Sequence, residues 1–152
     1  MKKILLIISL FLFSYKNAYG LITVDITRGN LDPLPIAVSP LHVDSKSEKL
    51  SIFETEKLGE EISKIIEKNF KSTGLFNPLK RDAFVQRPDI AHLKPRFEDW
   101  RLIKAQALVT GKLLIKDKKL KVEFRLWDLT AAKEMVALSF TTTPNNWRRV
   151  AH

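Results

Sequence analysis

At 152 residues the chain has room for one domain with a single buried core. It has no cysteine, which excludes a disulfide-stapled scaffold and any thiol nucleophile. The formal charge of +9 gives it a basic surface that does not by itself name a partner.

The first twenty residues read as a cleavable signal peptide. Lys2 and Lys3 supply the charged start, Ile4 through Phe13 an almost unbroken apolar run, and Ala18-Tyr19-Gly20 the small residues at the two positions a signal peptidase reads. Ten helical residues rise only about 15 Å against a hydrocarbon core of roughly 30 Å, so the run is short for a retained anchor. The pattern predicts cleavage after Gly20, and no cysteine marks a lipoprotein. Without Lys2, Lys3 and Lys16 the charge falls from +9 to +6. In a cytoplasmic protein such a balance would suggest nucleic acid; in an exported one it suggests an acidic protein or an anionic surface, and nucleic acid is not expected.

From Leu21 to Arg28 apolar and polar residues alternate, with Ile22, Val24 and Ile26 on one side and Thr23, Asp25 and Thr27 on the other, which predicts a strand. Gly29 to Pro33 is a turn cluster, Pro35 to Leu41 a buried β-branched strand, and residues 42–51 a polar loop. Leu58, Ile62, Ile65, Ile66 and Phe70 then recur at helical spacing. Thr55 is the candidate N-cap, and Gly74 the candidate left-handed residue beyond the end. An irregular stretch with Pro88 and Pro95 leads to a short helix around Phe97 to Lys104.

The last third is β. Leu108 to Ile115 is a strand. Lys119 to Leu126 alternates strictly, with Leu120, Val122, Phe124 and Leu126 inward, and Val136, Leu138 and Phe140 mark a third strand. Tight turns between them predict an antiparallel meander. Trp127 points to the opposite sheet face, which predicts that this second face is also covered. A helix starting at Asn145 and cut off at His152 is expected to provide that cover. The fold class is α/β of the α+β kind: a mixed sheet of about five strands, ending in a meander and packed with two to three helices.

Chemistry is absent from the pattern. Five scattered glycines build no phosphate-cradling loop, no serine sits in a nucleophile elbow, and His42, His92 and His152 lack the spacing of a zinc helix. The expectation is a binding domain with no catalytic residue, metal site or cofactor.

The assembled pieces resemble the amino-terminal domain of the TolB family of the Tol-Pal system, from Leu21 to His152. The resemblance rests on the strand after the leader, on Pro35-Ile36-Ala37-Val38-Ser39-Pro40-Leu41, and on Ser72-Thr73-Gly74-Leu75-Phe76-Asn77-Pro78-Leu79. It continues through Ala105-Gln106-Ala107-Leu108-Val109-Thr110-Gly111, Val122 to Asp128, and Arg148-Arg149-Val150-Ala151-His152. It implies a periplasmic, partner-binding role in outer-membrane integrity and in drawing that membrane inward at cell division. It also implies that Leu21, Ile22, Thr23, Val24, Asp25, Ile26, Thr27 and Arg28 form the segment recognised by a TolA-like inner-membrane protein. The family continues past the position of His152 into a β-propeller that carries the contact with the lipoprotein Pal, so Pal binding is not expected of residues 21–152. Two other readings stay open: a free-standing basic periplasmic domain for an anionic ligand or membrane surface, and a nonfunctional fragment of a split gene.

Overall fold

The computed structural model describes residues 32–49 and 55–152. Its frame is one mixed sheet of six strands: β1 (Leu34–Val38), β2 (His42–Val43), β3 (Phe76–Pro78), β4 (Ala107–Lys116), β5 (Lys119–Asp128) and β6 (Lys133–Thr142). The order is β3-β1-β4-β5-β6, with β2 also on β4. β3, β1 and β4 are parallel, whereas β4, β5 and β6 form the expected antiparallel meander.

The predicted strand Pro35 to Leu41 stops at Val38, and strand pairing resumes only beyond it. β1 runs beside Ala107 to Val109, and β2, in the stretch read as loop, resumes beside Lys112 and Leu113. Pro40 between them has no N–H to give the ladder. Ser39 N–H still reaches β4, at Val109 O (2.9 Å), whereas Leu41 N–H turns away to Gly59 O at 3.2 Å. β3 also escaped the sequence reading. It has only three residues and ends in Pro78, which an outer strand tolerates because its free edge needs no donor.

The principal helix, α1 (Thr55–Ser72), follows its apolar spacing. Leu58 and Ile62 are buried, and Ile65, Ile66 and Phe70 pack partly buried beside the core. Gly74 takes the left-handed conformation past the helix end, at φ +72°. Helix and broken strand are bolted together by the buried Ser63, whose hydroxyl lies 2.7 Å from Gly59 O and 3.1 Å from Ser39 O. Two short helices follow, α2 (Pro88–Ala91) and α3 (Phe97–Leu102).

Paired positions across β4 and β5 sort the sheet into two faces. Leu113 with Val122 and Ile115 with Leu120 point toward α1, and form one core with Leu41, Leu58, Ile62 and Trp147. Leu108 with Trp127 points the other way, into a core with Ala91, Trp100 and Leu129. Here the structure corrects the sequence reading. Trp127 is covered, but by α2 and α3: Phe97 meets its ring edge-on at 5.9 Å, and its Nε1–H donates to the buried Thr110 Oγ1 at 2.9 Å. The chain after Pro144 lies on the α1 face. It is also a 3-10 stretch, Pro144–Ala151, kinked at Asn146, where an α-helix from Asn145 was expected. The apolar side chains of this stretch, Trp147 and Ala151, fit against the surface left bare between α1 and the sheet, which decides its side.

Candidate interaction surfaces

Residues Leu21 to Arg28, the segment singled out in sequence, lie outside the described residues. Three other surfaces can be built from the fold.

The first is an apolar groove on the α1 face. α1 covers β4 and the near part of β5 but stops short of β6, the sheet edge. In register, Phe140 lies opposite Val122, Leu138 opposite Phe124 and Val136 opposite Leu126, so all three face the α1 side. Although they face the side on which the core lies, they are 42–49% exposed. The last strand of a meander has a neighbour on one side only, and that is the signal by which their exposure could have been anticipated. With Phe70 and Leu126 they line a groove of about 280 Å³ whose rim is Val150 to His152. Phe124 and Phe140 meet edge-to-face across it at 6.0 Å.

The second is a histidine pair. The break that creates β2 aims His42 at His92, just past α2, and the rings stack at 4.3 Å and 11°. Nδ1 of His92 sits 3.1 Å from the Pro88 carbonyl, which can only accept, so that nitrogen carries the hydrogen. Burial pushes the His42 pKa below its usual 6.5, with the neighbouring His92 adding to the depression and Lys112 a little more; Asp89 and Asp44 pull the other way. A histidine held below its unfolded value leaves the unfolded chain with more bound protons, so stability is full above about pH 6.5 and declines as pH falls through the depressed value. Thermal unfolding followed from pH 7.5 to 5.5 is expected to show this decline, and His42→Gln to flatten it; an equal slope in the variant would place the titrating group elsewhere.

The third surface is the outer half of the sheet face that Trp127 shares, where lysines predominate. Among the described residues no group of acidic and histidine side chains could hold a metal ion, and no helix is long and apolar enough to cross a membrane.

The TolB amino-terminal domain family matches residues 22–135. The chain belongs to that family. It is 62% identical over 145 residues to the Tol-Pal system protein TolB of Pelagibacter ubique, a match that takes in 94% of this chain and 32% of that protein. The chain therefore spans about a third of the length of this curated relative. The TolB fold is recognisable in solved structures too. TolB from Acinetobacter baumannii superposes with a TM-score of 0.60 over 80% of this chain and 26% of its own, at 14% identity. The C-terminal domain of LpoB from Escherichia coli has the same fold, with a TM-score of 0.54, 7% identity, and coverage of 76% of this chain and 86% of its own.

Proposed function

We propose that the chain is a periplasmic partner-binding module of the Tol-Pal system, contributing to outer-membrane integrity and to the inward movement of that membrane at division. The family match together with 62% identity to a Tol-Pal TolB carries this reading. The described surface supports it with an apolar groove beside β6 and a lysine-rich half-face on the other side of the sheet. No cofactor enters the proposal.

Leu21 to Arg28 is the segment we assign to a TolA-like inner-membrane protein. Its alternation suits main-chain pairing with a free sheet edge, with Ile22, Val24 and Ile26 filling pockets on the partner. Pal binding is not part of the proposal, since the family resemblance ties that contact to a propeller beyond the position of His152.

Deleting residues 21–28 is expected to abolish TolA binding in calorimetry while leaving the thermal transition of the sheet in place. Unchanged affinity after the deletion would remove the segment from the interface.

A further inference from the structure

The face of the sheet opposite α1 is covered for only part of its length. Trp127 and Leu108 lie under α2 and α3, and Arg125 reaches the Leu93 carbonyl at 3.1 Å. Beyond Arg125 the same face continues through the cross-strand pairs Lys112 with Glu123, Leu114 with Lys121, and Lys116 with Lys119. Lys116, Lys119 and Lys121 are exposed. Glu123 is the acidic residue among these pairs, and it is already engaged, by Lys121 at 2.7 Å and Lys112 at 3.5 Å. The hydrogen bond from Lys121 holds its carboxyl below the usual range, against the raising effect of burial and with help from Lys112.

Three more lysines border this half-face. Lys118 sits in the turn between β4 and β5. Lys46 and Lys49 come from the segment after β2, which is tied to the same end: Glu48 N–H donates to Ile115 O at 2.9 Å, and Asp117 N–H to Glu48 Oε1 at 3.1 Å. Lys46, Lys49, Lys116, Lys118 and Lys119 form no ion pair among the described residues. The nearby acids Asp44, Glu48, Asp117 and Glu123 number four against seven lysines, a surplus of three positive charges.

The fold alone would not choose this arrangement. Lys116 faces Lys119 directly, and like charges opposite each other weaken a strand pair. The two-residue turn has φ +52° at Asp117 and +59° at Lys118, a type I′ geometry in which glycine is at ease and lysine is not. Charge is therefore held here against local stability.

We propose that this basic half-face docks an anionic phospholipid surface. Its shape favours a surface over a single anion. From Lys112 to Lys116 the strand advances about 14 Å, and neighbouring strands lie about 4.8 Å apart, so the charges form a flat array. The hollow between Asp44, Leu114 and Lys121 is about 90 Å³. That is below the roughly 300 Å³ at which discrete small-molecule sites begin. Leu114, at the centre, and the lysine stems around it supply the apolar contact that lets ammonium groups reach headgroups from a shallow depth. This site uses neither the Leu21 to Arg28 segment nor any Tol-Pal partner, so it stands or falls separately from the proposed function.

The test is co-sedimentation of the full chain with neutral phosphatidylcholine vesicles and with the same vesicles doped with phosphatidylglycerol, the difference between the two being read. Anionic lipid is expected to raise binding, and added salt to lower it. Lys116→Gln with Lys119→Gln should reduce the anionic increment roughly 25-fold, at about fivefold per lysine. The pair of neutral residues relieves a like-charge contact, and circular dichroism should report an intact fold. Lys68→Gln with Lys71→Gln, the same loss of charge on α1, should leave the increment within about twofold. Equal loss in both variants would assign binding to net charge and overturn the site. Displacement by inorganic phosphate, at an ionic strength where chloride does not displace, would overturn the lipid surface in favour of a discrete anion. No difference between neutral and anionic vesicles would overturn the proposal outright.

Discussion

Gly59→Ala is expected to cost upward of about 3 kcal/mol and to leave little folded protein at 37 °C. In an ordinary exposed helix the same change would stabilise by about 1 kcal/mol, because alanine is the better helix former. The sign reverses here because α1 crosses the break between β1 and β2 at backbone contact. A Cβ added at Gly59 would lie 2.1 Å from the Leu41 carbonyl oxygen and 3.0 Å from its carbon. That obstacle is main chain, fixed by the Leu41 N–H bond to Gly59 O and by the Ser63 bridge to Ser39, so it cannot rotate aside. The helix must lift, and Leu58 and Ile62 lift with it. Gly74→Ala is the informative comparison. It sits at φ +72° with nothing within 4 Å, so only the left-handed conformation is penalised, at about 1 kcal/mol. Urea unfolding of both variants checks the pair. Equal midpoints would mean that α1 and the Leu41 carbonyl are not in contact.

That contact also shows where sequence pattern stops being informative. The face of α1 was readable because its period is local: Leu58, Ile62, Ile65, Ile66 and Phe70 recur whether or not a sheet is present. The meander was readable for the same reason, from strict alternation at Leu120 to Leu126. β2 and β3 were not. Two and three residues carry no period, and both exist only because β4 and β1 offer them a ladder. The placement of Trp127 on the second face was legible, whereas the identity of its cover was not: which side α2, α3 and the stretch from Pro144 take is settled by long-range packing. The family resemblance was legible throughout, and the family match bears it out. Within it, the segment assigned by resemblance to a partner, Leu21 to Arg28, has an alternation that fits a core strand and a docking strand equally well. The groove and the basic half-face were hidden for a different reason. Val136, Leu138 and Phe140 have the spacing of a buried row, and only the position of β6 at the sheet edge exposes them. Lys116 and Lys119 are three apart in sequence, and become a facing pair only once the turn is known to take two residues.

Trp147→Ala is expected to cost about 3–5 kcal/mol, a large share of a net stability of about 5–15 kcal/mol. At 3% exposure, Trp147 is a wedge between α1 and the sheet, in one core with Leu58, Ile62, Leu113 and Val122. The rest of its segment is tied to α1 through Asn69, whose Nδ2 donates to Ala151 O at 2.8 Å and lies 3.4 Å from His152 Nδ1, while Ala151 is buried and Val150 partly buried beside the wedge. Removing the indole therefore opens a cavity at the edge of the α1 core, a loss that the Asn69 contacts, at about 1 kcal/mol for a hydrogen bond, do not make up. The melting temperature should fall by about 10 °C or more, given about 2–8 °C per kcal/mol for domains of this size. Arg148→Ala is the matching control: its guanidinium stacks over the same indole at 4.4 Å, but from the solvent side, so its loss should cost no more than about 1 kcal/mol. The location of the damage separates the observed packing from the arrangement expected from sequence. If Trp147 belongs to the α1 core, methyl resonances of Leu58 and Ile62 shift in the alanine variant while the Phe97 and Trp127 ring signals stay in place. Shifts centred on Trp127 with Leu58 and Ile62 undisturbed would return the segment after Pro144 to the other face of the sheet.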